Sequence, residues 1–325
     1  MRELLRALPQ ATDARLTAVV QSNATGELPA GVNGQTRPAC IGVRRMVENL
    51  RPVGPAQLVH GLDVELPLRA GAPTVTTVHD LALFDEPGAF TLRKRMGKPT
   101  TVRRSIKAAD AVIAVSSFTA ERLRALFGRD SIVVHEAPGA AFAPPQPEQV
   151  EAVRARYDLP AAFVLHVGNL EPRKDVPTLA EACRIADVPL VLAGGAVTTV
   201  DAPRDARLIG HVAQEELPAL YVAATAVAYV STYEGFALPP VEAMACGATV
   251  VATRCGALPD VARDGIEFVP AGDADAQAEV LHELFHDDAR RDERRVAALR
   301  EAGALDWDAA TRETVAVYRS LGVRA

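Results

Sequence analysis

Residues 220–261 read LYVAATAVAYVSTYEGFALPPVEAMACGATVVATRCGALPDV. The opening run is apolar almost throughout, which predicts a strand buried on both faces rather than one with a wet side. The loop STYEGFALP follows. Pro239 and Pro240 then open a helix that Gly247 closes, since proline is tolerated in a first helical turn and glycine is favoured just past the last. TVVATR (249–254) supplies the next strand. Strand, loop, helix and strand in that order make the unit from which parallel sheets are built.

The same texture runs outward in both directions. Further strands are predicted at LTAVVQ (16–21), TVTTVH (74–79), AVIAVS (111–116), SIVVHEA (131–137), AFVLHV (162–167), PLVLAG (189–194), AVAYVS (226–231) and IEFVP (266–270). Helical patterns fall at 117–127, 148–157, 176–186, 214–224, 277–286 and 309–321. The fold class is α/β with doubly wound parallel sheets. PGAAFAPPQPEQ (138–149) carries four prolines and reads as a linker between two α/β halves.

The chain's 325 residues suit two domains, and 49% hydrophobic with 23% charged residues excludes a disordered or collagen-like chain. A net charge of −6 argues against a duplex-wrapping surface, so no nucleic-acid partner is expected. Cys40, Cys183, Cys246 and Cys255 are scattered in apolar or small-residue surroundings and read as reduced core thiols. The most apolar stretch, 220–230, is far short of the ~20 residues that cross a bilayer. MRELLRALPQATDARL lacks the apolar core of a secretory signal, and a cytoplasmic location is expected.

Within the deciding stretch, the loop leads into a helix N-terminus, where free N–H groups favour a phosphate. Gly235 would let the backbone come close to such a ligand. Glu234 on the loop and Glu242, expected in the first helical turn, stand eight positions apart. That spacing suits Glu242 to the two hydroxyls of a ribose and Glu234 to a second sugar beyond a diphosphate. Glu242 could instead serve only the helix dipole. A second segment, FVLHVGNLEPRKDVPTLAEA (163–182), ends a strand at Gly168 and presents Arg173 and Lys174 before a helix. Adjacent cations beyond the carboxyl end of a parallel strand are placed to hold a diphosphate. Lysine stands only at 94, 98, 107 and 174 among 35 basic residues, so Lys174 is the one lysine away from the basic segment.

Other motifs have blander readings. His282-Glu283-Leu284-Phe285-His286 matches the HExxH zinc signature, but the helix reads as amphipathic, with Leu281, Leu284 and Phe285 inward. Asp273-Ala274-Asp275 and Asp306-Trp307-Asp308 match D-x-D, and each precedes a helix that its first aspartate would cap. No metal site is expected. Residues 93–107 hold seven basic residues and no acidic one. They read as a solvated helix face, or as a patch for an anionic membrane surface or an acceptor phosphate.

VGNLEPRKD, GHVAQEELPALYVAATAVAYVSTYEGFALPPVEAMACG and LDWDAATRETVAVYRSL resemble glycosyltransferase family 4, the retaining GT-B enzymes. VHDLALFDEP and ADAVIAVSSFTAERL extend the likeness from about residue 57 to the end. The resemblance implies two facing Rossmann-like domains, 1–143 on the acceptor side and 144–305 on the donor side, with 306–325 crossing back onto the first. It implies a nucleotide-diphosphate sugar as donor (GDP-, dTDP- or UDP-linked), a saccharide, lipid-linked or small-molecule acceptor, and retention without a metal or other cofactor. By position, Glu242 corresponds to the ribose ligand, Glu234 to a donor-sugar contact, and Arg173 with Lys174 to the diphosphate clamp. The resemblance also implies that Gly168 and Asn169 line the donor site and that the Gly235, Phe236, Ala237, Leu238 backbone corresponds to the segment lying against phosphate and sugar. His79 matches a histidine that touches the donor sugar, with Asp80 placed to orient it. GNLEPRKD is most like members that transfer mannose or rhamnose.

The sequence departs from the family at three places. Ala237 replaces a usual second glycine, and Asn169 stands where many members have arginine. MRELLRALPQ resembles the end of the family's first helix, and the strand and glycine-rich loop that precede that helix in the family are not in this sequence. This leaves a second expectation beside transfer: a protein that binds the nucleotide-sugar and transfers poorly.

Overall fold

The computed structural model describes residues 1–22, 28–39, 44, 47–48, 50–90, 98–195 and 203–323. The chain divides into two compact units, Met1–Glu136 with Asp306–Ala325, and Ala137–Leu305. The break therefore falls at Glu136–Ala137, ahead of the proline-rich stretch rather than within it.

In the first unit, parallel strands β3 (Val59–Gly61), β4 (Thr74–Val78), β5 (Ala111–Ala114) and β6 (Ile132–Val133) form one sheet in sequential order. A separate parallel pair joins β1 (Leu16–Gln21) to β2 (Val32–Arg37). Both faces of the larger sheet are covered. Helix α1 (Arg2–Ala11) and the last helix of the chain, Trp307–Ser320, pack together over Val75, Ile113 and Val134. On the other face Val78, Val112 and Ala114 meet side chains of α2 (Lys98–Ala108) and α3 (Ser117–Phe127). This two-sided cover is why TVTTV is buried along its whole length. Tyr318 ties the last helix to the sheet, its hydroxyl 2.7 Å from His60 Nδ1.

The second unit holds six parallel strands in the order β12-β11-β10-β7-β8-β9. They are β7 (Val164–Val167), β8 (Leu190–Ala193), β9 (Arg207–Gly210), β10 (Ala226–Tyr229), β11 (Val250–Thr253) and β12 (Ile266–Val269). The chain winds one way from β7 to β9 and the other way from β10 to β12. The order thus reverses between β7 and β10, and an open α/β sheet binds its ligands beyond the carboxyl ends of the strands at such a reversal. Helices α4 (Pro147–Tyr157), α5 (Val176–Ile185), α6 (Leu217–Ala223), α7 (Leu238–Ala245), α8 (Ala274–His286) and α9 (Asp288–Ala302) cover the sheet. Helix α5 packs on α8, α4 on α6, and α7 on α9.

Strands β2, β3 and β9 were not expected. VNGQTR, VHG and RLIG are too polar or too short to carry an apolar run. Of SIVVHEA, only Ile132 and Val133 pair. The charged run 288–302 is a helix whose buried stripe is made of Ala297, Ala298 and Ala302, residues too small to register as an apolar face. Asp273 and Asp306 do cap their helices, accepting from Ala276 N at 3.0 Å, and from Asp308 N and Ala309 N at 3.1 Å each.

Candidate functional site

The loops that follow β7 and β10 meet at the reversal point of the second unit. After β7 the chain turns at Gly168, whose N–H donates to Ala193 O at 2.9 Å. The turn lies so close to Gly194 that a Cβ there would sit 2.2 Å from Gly168 O, so glycine is required. Asn169 is exposed beside it. A short turn, Pro172–Lys174, then carries Arg173 and Lys174 inward. The two loops are joined by the Thr232 N–H, which donates to Arg173 O at 2.8 Å.

Three charges converge there. Glu234 lies between Lys174, whose ammonium donates to Oε1, and Arg173, whose Nη1 is 3.1 Å from Oε2. Arg173 also donates from Nε to Glu171 at 2.9 Å and from Nη1 to Tyr233 O at 3.2 Å. Lys174 is only 8% exposed. Burial alone would push the Glu234 carboxyl up, but Lys174 and then Arg173 outweigh it and hold Glu234 below the usual carboxylate value. The carboxylate expected to reach outward to a sugar is thus the anchor of both cations. Spacing along the sequence could not show this, because the contact depends on two loops from adjacent strands.

Beneath the cluster, His166 is fully buried and donates from Nδ1 to Ala228 O at 3.0 Å. Burial pushes it down to about 4, so a neutral ring links β7 to β10.

The helix end differs from expectation in two respects. Glu242 is the fifth residue of α7 and lies in its second turn, half-buried, with its charge felt by the buried hydroxyls of Tyr221 and Tyr229. Burial is the largest cause that raises both phenols. Pro239 and Pro240 occupy the second and third helical positions and carry no N–H, so the free donors are those of Ala237 and Leu238. The left-handed residue of the loop is Ala237, at φ 67°. Gly235 and Phe236 are buried beside it.

Sequence reading missed the neighbouring loop after β11. Gly256 there has φ 58°, and a Cβ on it would lie 2.3 Å from Glu234 O. Cys255 beside it is half-buried, its thiol pushed up to about 11, chiefly by burial. A glycine just past a predicted parallel strand was the available signal. Cys183 and Cys246 are buried free thiols, both pushed up to about 12 by burial, and Cys40 lies outside the described residues.

In the first unit, His79 follows β4. Its Nε2 donates to Leu62 O at 2.8 Å, and its Nδ1 is 3.4 Å from Glu136 Oε1. Asp80 does not orient it, because the Asp80 carboxylate accepts from Ala82 N at 3.1 Å and so caps the next turn. Glu136, beyond β6, was missed, although it shares with His79 the carboxyl-end rim of one parallel sheet.

His282 and His286 lie on the exposed face of α8, with Leu281 and Leu284 buried and Phe285 packed on the core. His286 Nδ1 donates to His282 O at 2.8 Å, and Glu283 pairs with Arg290. Among the described residues, no group of three His, Cys, Asp or Glu is placed to hold a metal. Of the basic segment, residues 93–97 lie outside the described ones. Within α2, Arg104 donates to Leu66 O at 3.0 Å and to Pro67 O at 2.6 Å, and Arg103 lies over the rings of Phe84 and Phe127. Two of its cations therefore hold the first unit together, while Lys98 and Lys107 are exposed. Among the described residues, no helix is long and apolar enough to cross a membrane.

Residues 150–301 match the glycosyl transferases group 1, and residues 30–136 match glycosyltransferase family 4. The O-antigen chain mannosyltransferase B of Escherichia coli is 30% identical over 284 residues, which are 81% of this chain and 74% of that protein. The chain belongs to glycosyltransferase family 4. This glycosyltransferase is also similar to the D-inositol 3-phosphate glycosyltransferase of a Nocardioides species, at 29% identity over 327 residues, covering 86% of this chain and 71% of that one. Anabaena Alr3699/HepE, solved with UDP and glucose, superposes with a TM-score of 0.73 at 18% identity, over 98% of this chain and 94% of that one. The sucrose-phosphate synthase of Thermosynechococcus elongatus gives 0.66 at 24% identity, over 78% and 69%. These likenesses show the fold, that of the GT-B glycosyltransferases with two Rossmann-like α/β units.

Proposed function

We propose that this glycosyltransferase moves a hexosyl group, mannose- or rhamnose-like, from a nucleotide-diphosphate sugar to a saccharide or lipid-linked acceptor, with retention and without a metal. The observation that carries the reading is the Arg173–Lys174–Glu234 cluster at the strand-order reversal, in front of the N-terminus of α7. Two cations already ordered by a half-buried carboxylate can stabilise the charge that develops on a departing diphosphate. The Ala237 and Leu238 N–H groups and the helix dipole add to that field. Glu242, half-buried on the same helix, is assigned the ribose hydroxyls. Gly168 and Asn169 line the donor, and the Gly235–Leu238 backbone lies along its phosphate and sugar. His79 is assigned a contact with the donor sugar. Mannosyl transfer in the E. coli relative supports the sugar, and the UDP bound by the Anabaena protein supports a nucleotide diphosphate without fixing the base.

Titration calorimetry with UDP, GDP and dTDP, in EDTA throughout, tests this. One nucleotide should bind the wild type and not Glu242→Ala, and the anomeric configuration of the product should match that of the donor. Well-folded protein that binds none of the three removes the reading.

A further inference from the structure

His79 is assigned a role, and the groups around its ring bear on which of its nitrogens carry protons. A carbonyl oxygen only accepts, so Nε2, 2.8 Å from Leu62 O, carries a proton. Nδ1 faces the Glu136 carboxylate at 3.4 Å, another group that only accepts. Both acceptors are satisfied together only by the doubly protonated ring. Among the described residues, His79 is the one ion-pair partner that Glu136 has. The pair is inset, with side chains 29% and 14% exposed, and it lines a pocket of the first unit with Thr77, Val134, His135 and Trp307.

The remaining charges around the ring are few. Burial opposes the imidazolium, as does the Met1 ammonium, while the hydrogen bond and charge of Glu136 and the Leu62 carbonyl favour it, and His79 is held above the ordinary histidine value. His60 alongside is engaged by Tyr318 and Thr77 and is pushed down to about 3 by burial first and by His79 second, so it stays neutral. Asp80 is turned to Ala82 N, and His135 lines the same pocket.

We propose that Glu136 is the positioning residue of His79, fixing Nδ1 as a proton-bearing donor so that the ring meets a substrate hydroxyl as an N–H group and not as a base. This rests on the reading of His79 as a sugar contact. At 3.4 Å the Nδ1···Oε1 approach is longer than the ~2.7–2.9 Å of a closed charge-assisted bond. A hydroxyl can therefore share it, with its oxygen accepting from Nδ1–H and its proton directed to Glu136.

The test uses the full chain with Glu136→Gln and Glu136→Asp. The imidazole nitrogens of His79 are followed by NMR against pH, beside the pH profile of kcat and KM. In the wild type the ring should titrate above the free-histidine value. In Glu136→Gln it should titrate lower, kcat should fall on the order of tenfold at pH 8 and little at pH 6, and Glu136→Asp should restore part of both. An unchanged His79 titration in a folded Glu136→Gln overturns the proposal. A lowered titration with an unmoved kcat profile takes His79 out of the reaction and overturns the catalytic half. Absence of transfer by the wild type with every donor would instead be a failure of the proposed function, and the titration would still decide whether Glu136 holds the ring.

Discussion

At the residue scale, the second unit's site rests on one half-buried carboxylate between two cations, one of them the buried Lys174, and the energetics of buried charges set what substitutions should do. Removing Glu234 leaves Lys174, 8% exposed, without its carboxylate, and stripping one partner from a buried pair costs about 3–5 kcal/mol. Glu234→Ala should therefore lower the unfolding free energy by that order, whereas Lys174→Met with Glu234→Gln together should cost less than Glu234→Ala alone. Denaturant titration of the three proteins checks the inequality. Lys174→Ala should lose on the order of 100-fold in turnover, with Glu234 still tethered by Arg173. Normal turnover would remove Lys174 from the diphosphate. The types and positions of Arg173, Lys174 and Glu234 were legible in the sequence because each lies just past a predicted strand. Their mutual pairing was not, because it depends on β7 and β10 being neighbours in space. The same holds for Glu136 and His79, which come together through the rim of a sheet and not through the sequence.

At the scale of elements, strands with β-branched apolar runs were legible in place but not in length: LTAVVQ pairs over its whole predicted length, whereas SIVVHEA pairs at Ile132 and Val133 alone. The polar strand VNGQTR was not, since nothing in its composition separates it from a loop. Loop conformation was also hidden. Ala237 holds φ 67° at the start of α7, where an alanine pays steric strain of about 1–2 kcal/mol. Ala237→Gly relieves the strain but loses about 0.5–1 kcal/mol to chain entropy, so its melting temperature should stay level or rise slightly. Ala237→Val, β-branched at a positive φ, should destabilise by about 1–3 kcal/mol, and parallel thermal melts distinguish the two. A second element-scale device is Glu301 of α9, which accepts from the N–H groups of Arg263, Asp264 and Gly265 at 3.0 Å each. Burial pushes its carboxyl up, and the three N–H groups outweigh that and hold it below the usual value. A depressed carboxylate stabilises the fold above its unfolded-state value, and that stability is lost as pH falls through the folded one. Glu301→Gln should then cost about 1–2 kcal/mol near neutrality and flatten the acid limb of the stability profile. Equal acid limbs in the two proteins would refute it.

At the scale of the whole molecule, the division into Met1–Glu136 with Asp306–Ala325 and Ala137–Leu305 follows from which surfaces the helices cover. The last helix belongs to the first unit because Val315, Val317 and Tyr318 complete the core over β4 and β5. The cation cluster, the strand-order reversal and the N-terminus of α7 all lie in the second unit. A nucleoside diphosphate should therefore protect this unit first. Hydrogen exchange with saturating nucleotide should slow amides within 168–176 and 229–245, and leave β3 to β6 of the first unit unchanged. Because a ligand at 100 times its Kd adds about 2.7 kcal/mol to the state that binds it, amides of the second unit that exchange through its global opening should slow on the order of 100-fold. The same experiment with Glu242→Ala should show no protection in either unit. Protection confined to the first unit would place the nucleotide away from Arg173 and Lys174 and overturn the assignment of the donor site.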